Sequence, residues 1–285
     1  MTAAPGAQLE AFFLPRPDGQ RLCILHSPAD GRIRGALLHV HAFAEELNIT
    51  RRMVALGAAR LASLGYAVLL LDLHGCGDSS GDFGEARWDT WQDDIAHART
   101  WLEQRTGLPA GLWGTRAGAL LALAHARHAP QAPAQLLLWQ PVTNGSSYLT
   151  QFLRLRLVHD MLADGQARQH GTDAMRAQLH GGAPLEVAGY TLAPELAQAL
   201  DAARIDAALV PPCPVHWFEV GAAGRSLPMP VQGIALAWRA QGVRVDLQQV
   251  TGPAFWSSHE APAAPALLDA SCAALAAVAQ GGVDA

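Results

Sequence analysis

Short apolar runs alternate along this chain with longer stretches whose apolar positions recur at the helical period. Residues 9–14 and 22–26, separated by Pro17-Asp18-Gly19, predict an opening hairpin. The continuous apolar runs 36–41 and 67–73 predict strands buried on both faces. A helix is expected over 50–64, stopped by Gly65, and another over 88–104 with Trp91, Ile95, Ala98 and Leu102 on one face. Residues 111–115 predict a short strand, 117–128 a helix and 135–142 a further strand. From 143 to 212 the rhythm becomes helical or irregular, with 148–162 and 194–203 as the clearest helices. Strand patterning returns at 214–220 and 243–250, around a helix near 231–240, and an alanine-rich helix closes the chain at 264–279.

Such an alternation predicts an α/β class fold with a mostly parallel sheet flanked by helices. The organisation expected is a core of 1–142 and 213–285, with 143–212 inserted after the sixth strand as a helical cap over the sheet's carboxyl edge. At 285 residues and 50% hydrophobic, the chain is large enough to be one well-buried domain.

Composition narrows the chemistry. All 20 basic residues are arginine, so no lysine can serve as Schiff-base former or general base, and the bias suits a GC-rich bacterial coding sequence. A net charge of −5 argues against binding nucleic acid. Cysteines 23, 76, 213 and 272 show no Cys-x-x-Cys spacing and read as reduced thiols. Met1-Thr2-Ala3-Ala4-Pro5 lacks the features of a signal peptide, and no apolar run approaches a membrane span. A cytoplasmic location is expected, no cofactor is implied, and oligomeric state is not legible.

Three segments carry the functional signal. His39-Val40-His41-Ala42-Phe43-Ala44-Glu45-Glu46 follows the first buried strand. Asp72-Leu73-His74-Gly75-Cys76-Gly77-Asp78-Ser79-Ser80-Gly81 follows the second. Gly114-Thr115-Arg116-Ala117-Gly118 joins a strand to a helix. Together they resemble the α/β-hydrolase superfamily, in its serine-aminopeptidase-like branch, over nearly the whole chain. Gly-x-Ser-x-Gly is that superfamily's nucleophile elbow, and here arginine stands where serine is expected. The Phe-Ala-Glu-Glu loop combined with an Arg-Ala-Gly elbow is similar to the exosortase A system-associated hydrolases, type two, of bacterial exopolysaccharide loci.

The resemblance implies an eight-stranded sheet and activity on ester, thioester or amide bonds, with backbone donors for an oxyanion at Ala42 and Ala117. It also implies a pocket near His41, Phe43 and Cys76. The residues resist that chemistry. Arg116 stays protonated and cannot attack a carbonyl, while Thr115, one place earlier, is expected to point away. His259 sits where the family's base belongs, though a helix-cap histidine would look the same. The loop 221–225 after the seventh strand holds no carboxylate for the triad acid, and Glu219 and Glu260 do not match its place. Cys76, Ser257 and Ser258 are weak candidates for a relocated nucleophile.

Two roles suit Arg116: an internal ion pair with Glu45 or Glu46, or an anchor for the carboxylate or phosphate of a small-molecule, acyl or glycan-like ligand. His39, His41 and His74, with Asp72 or Asp78, show no compact metal-ligand spacing. The cap segment 148–152, with Arg154 and Arg156, could line a pocket or pack on the core. Two readings follow. One is a non-catalytic or anion-binding accessory protein. The other is a hydrolase with a non-standard site at His259, Glu45 and Glu46.

Overall fold

A computed structural model describes residues 7–164, 171–257 and 262–281 of the chain. Eight of its strands form one sheet: β1 (Ala7–Arg16), β2 (Gly19–Pro28), β3 (Gly35–Val40), β4 (Tyr66–Leu71), β5 (Ala110–Thr115), β6 (Leu136–Trp139), β9 (Val215–Gly221) and β10 (Val245–Thr251). Their spatial order is β1-β2-β4-β3-β5-β6-β9-β10. β1 and β2 pair antiparallel, as do β2 and β4, and every other neighbouring pair is parallel.

Side-chain alternation sorts the sheet's two faces into separate cores. Ala67, Leu69 and Leu71 of β4 join Ala36, Leu38 and Val40 of β3 in one cluster. Tyr66 and Val68 join Leu37, Trp113 and Trp139 in the other. The first face is covered by helices α2 (Trp88–Thr106) and α3 (Gly118–His128), the second by α1 (Glu45–Ser63) and α8 (Pro265–Gly281). Trp91, Ile95, Ala98 and Leu102 are all buried beneath α2, as their spacing predicts.

Between β6 and β9 the chain forms α4 (Gly145–Asp164), α5 (Thr172–His180), a small hairpin of β7 (Leu185–Val187) and β8 (Tyr190–Leu192), and α6 (Pro194–Ala202). Helix α7 (Met229–Ala240) then connects β9 to β10. The β7–β8 hairpin was not expected from sequence. Its strands are three residues long and turn through Ala188 and Gly189, both at positive φ, so no alternating pattern had room to develop.

Two boundaries differ from expectation in ways that shape the carboxyl edge. Helix α1 begins at Glu45 rather than residue 50, so both glutamates lie in its first turn, where the helix dipole favours negative charge. Strand β6 ends at Trp139 rather than 142, because Gln140 takes a φ of 43° that no strand can hold. Among the described residues no helix is long and apolar enough to cross a membrane.

Candidate functional site

Among the described residues four non-glycine positions have positive φ, and three of them converge at the carboxyl edge: Ala44 (49°), Arg116 (54°) and Gln140 (43°). Strain of this kind persists only where surrounding structure imposes it. At the elbow the frame glycines supply the reason. A Cβ on Gly114 would lie 2.5 Å from the Ala119 Cα, and one on Gly118 would lie 2.2 Å from the Val40 carbonyl oxygen. The tight strand–turn–helix junction therefore needs both glycines whatever side chain stands between them.

Arg116 caps this turn and pairs with Glu46. Its Nε donates to Glu46 Oε2 at 3.2 Å, one Nη donates to Oε1 at 3.1 Å, and the other Nη donates to the Gln140 carbonyl at 3.2 Å. Only 11% of the arginine side chain and 10% of the glutamate side chain remain exposed. Two aromatic rings flank the guanidinium, Trp256 at 4.8 Å and Tyr148 at 5.9 Å from Cζ, which suits a delocalised cation. Burial pushes the Glu46 carboxyl upward, and the adjacent Arg116 pulls it back toward ionisation.

Behind the pair, Gln140 braces the site. Its side-chain nitrogen donates to Glu219 Oε2 at 3.0 Å, its side-chain oxygen accepts from the Val220 amide at 2.6 Å, and Trp217 donates to Glu219 Oε1 at 2.8 Å. Glu219 thus serves the arginine's surroundings and has no histidine among these partners. Gln140 and Trp256 were not legible as site residues. A positive φ after a strand leaves no mark in sequence, and Trp256 reads as an ordinary loop aromatic.

Glu45 differs from its neighbour. One of its carboxylate oxygens, Oε2, is buried without a hydrogen-bond partner, and burial raises the carboxyl to about 7, with Glu46 adding to the rise.

Of the pocket residues, Ala42, Phe43, Ala117 and His41 do meet, around a void of about 10 Å³. That is roughly room for one water. His41 is a staple: Nδ1 donates to the Ala42 carbonyl at 2.6 Å and Nε2 accepts from the Leu73 amide at 3.3 Å. Phe43 stacks edge-on against Phe83, Trp91, Tyr148 and Phe152, so the cap helix α4 packs directly onto the loop. Cys76 is buried, with its thiol pushed upward by desolvation.

Thr115 points to the α1 face, where His39 Nε2 lies 3.0 Å from its hydroxyl. It cannot reach the elbow tip. His39 and His41 are both held below the ordinary imidazole range by burial, and His74 lies instead against Asp18. No group of three metal-ligating side chains converges among the described residues. His259, Ser258 and Glu260 lie outside the described residues, while the Ser257 hydroxyl donates to the Ala254 carbonyl.

Comparison with known proteins adds a family and a fold. The family model described as serine aminopeptidase, S33 (Hydrolase_4) matches residues 31–178, about half the chain. No curated protein sequence matches. Among solved structures, a thermostable carboxyl esterase from Bacillus coagulans in complex with glycerol aligns at TM-score 0.64 and 13% identity, over 97% of this chain and 98% of that one. Est1E from Butyrivibrio proteoclasticus with bound ferulic acid aligns at 0.62 and 13%, over 96% and 100%. A thioesterase domain from the curacin biosynthetic pathway aligns at 0.54 and 17%, over 96% and 99%. At such identities the likeness is one of fold.

Proposed function

The chain belongs to the serine aminopeptidase, S33 family and has the α/β-hydrolase fold, and from that premise we propose that it is a member without serine-hydrolase chemistry. We read it as a bacterial, cytoplasmic accessory protein of the exosortase A and exopolysaccharide type. One observation carries the reading. Where a nucleophile would stand, a guanidinium is locked to Glu46, and the void that His41, Ala42, Phe43 and Ala117 line measures only about 10 Å³. A group that cannot be deprotonated offers no attacking lone pair. The ion pair also disfavours Arg116 as an anchor for a free anion, since a ligand would have to displace Glu46 from between the flanking rings of Tyr148 and Trp256.

Glu45 supports a second reading. A carboxyl at about 7 with one unpartnered oxygen has the affinity of a general base near neutrality. In that case Glu45 takes a proton from water, the hydroxide adds to an ester or thioester carbonyl, and the leaving group departs with the proton. Closure by the cap aromatics weighs against it.

A fluorophosphonate probe followed by intact-mass measurement separates a serine hydrolase from either reading. The expected result is an unmodified protein. An adduct on any serine or threonine would overturn both.

A further inference from the structure

A cavity of about 770 Å³ lies on the α1 face of the sheet, between α1 and strands β1, β2 and β4. That is within the range of small-molecule sites, roughly 300–1,000 Å³. Its α1 wall runs from Leu47 to Ala59, about 18 Å at the helical rise. Leu9, Leu22, Ile24 and Leu70 line it from the strands, and Val54 and Leu56 from the helix, where Ala55 and Ala59 leave space.

Strand register brings one polar ring into this apolar floor. Leu9 of β1 sits opposite His26 of β2, so the two side chains share a face, and Ile24, two residues earlier, shares it as well. All three line the cavity, which fixes the side to which His26 points. His26 is only 3% exposed, and its Nε2 has no hydrogen-bond partner. A buried ring nitrogen among aliphatic walls is costly until something fills its valence.

The charged side chains of the lining are engaged elsewhere. Arg51 donates to Asp72 at 2.9 Å and to Asn48 at 3.3 Å, and Arg52 has a partner of its own. Neither arginine is spare for a ligand anion, and a charge brought among these walls would forfeit its hydration. Of the two other imidazoles in the lining, His39 turns Nε2 to Thr115 and His41 uses both nitrogens on backbone groups. Burial holds all three rings below the ordinary imidazole range, so they are neutral at neutral pH.

What the cavity offers a ligand is therefore room for a hydrocarbon body and one neutral imidazole nitrogen in want of a partner. A hydroxyl suits that nitrogen in either tautomer, because it both donates and accepts. We propose that this cavity binds an uncharged, hydrocarbon-rich alcohol, its hydroxyl on His26 Nε2. The site needs no nucleophile and stands apart from the elbow, so it adds a binding function to either reading given above.

Calorimetric titration of the full-length protein with octanol, hexanol, octanoate and octylammonium at neutral pH tests this. Octanol is expected to bind saturably, and hexanol about fifteenfold more weakly, which is the effect of two buried methylenes. Both ions are expected to bind at least tenfold more weakly than octanol. His26→Leu should weaken octanol about tenfold, the effect of one net hydrogen bond, while His26→Gln, which keeps a polar group there, should restore most of the affinity. In protein carrying ¹⁵N-labelled histidine, the His26 Nε2 resonance should shift on adding octanol, a readout that stands even where a His26 variant does not fold. Ala55→Trp is expected to abolish binding, with Leu56→Trp in its place if that variant does not fold and thermal unfolding as the control.

The proposal is overturned if octanol does not saturate, if either ion binds as tightly as the alcohol, or if the His26 resonance stays still while octanol binds. Binding that survives both tryptophan variants overturns it too. So does binding that emerges only after residues 2–6 are deleted, which would make the chain's own N-terminus the occupant. None of these outcomes bears on Arg116, and the functional reading stands or falls separately.

Discussion

Arg116 and Glu46 are each about nine-tenths buried, and a buried pair behaves differently when one member is lost than when both are. Removing Glu46 alone leaves a desolvated cation. Glu46→Gln is therefore expected to cost about 3 kcal/mol, whereas Arg116→Met combined with Glu46→Leu should cost far less or even stabilise. Denaturant titration of the two variants checks the ordering, and equal losses would show that the pair contributes only as packing. Glu45 gives a pH prediction. Its carboxyl is held near 7 in the folded chain against an ordinary value of 4.5, so the folded state binds the extra proton. Stability should fall as pH rises from about 4.5 to about 7 and then level off. Glu45→Gln should remove that slope and raise stability at pH 8 by about 1–2 kcal/mol, allowing for partial solvent screening. An unchanged slope in the variant would place the titration elsewhere.

Among the elements, α1 shows where local propensity and packing compete. Gly57 sits mid-helix, where alanine would ordinarily be favoured by about 1 kcal/mol. Yet a Cβ there would lie 2.7 Å from Trp139 and 2.8 Å from Trp113, two fully buried rings. Overpacking of that kind costs about 1–3 kcal/mol, so Gly57→Ala should lower the melting temperature rather than raise it. Periodicity made α1, α2 and the sheet strands legible because each buries a face along its whole length. It failed for β7 and β8, too short to show a period, and at the ends of α1 and β6. There the positive φ of Ala44 and Gln140, a tertiary constraint, decides the boundary. Arg116 was legible as the residue at the elbow, with Glu45 and Glu46 as its possible partners. The choice of Glu46 came from the turn of α1 that presents it, and the flanking rings of Trp256 and Tyr148 came from distant segments.

For the molecule as a whole, the cap and core close on each other through Phe43, Tyr148 and Phe152, and a family frame persists around an arginine–glutamate pair. The thiols follow the same pattern of burial. Desolvation pushes Cys23 and Cys213 up to about 12 and Cys76 higher, while Cys272 is the one cysteine not fully buried. In the native protein a thiol reagent should modify Cys272 first and leave the other three until unfolding. Rapid labelling of Cys76 would instead reveal an opening at the loop after β4.

The central claim is that the arginine-capped elbow does no acyl-transfer chemistry. Its most direct test is the rate at which the purified full-length protein hydrolyses nitrophenyl acetate and nitrophenyl butyrate across neutral pH. The expected rate equals that of buffer and is unchanged in Glu45→Gln and His259→Ala. Turnover above buffer that disappears in either variant would contradict it and make this protein an enzyme.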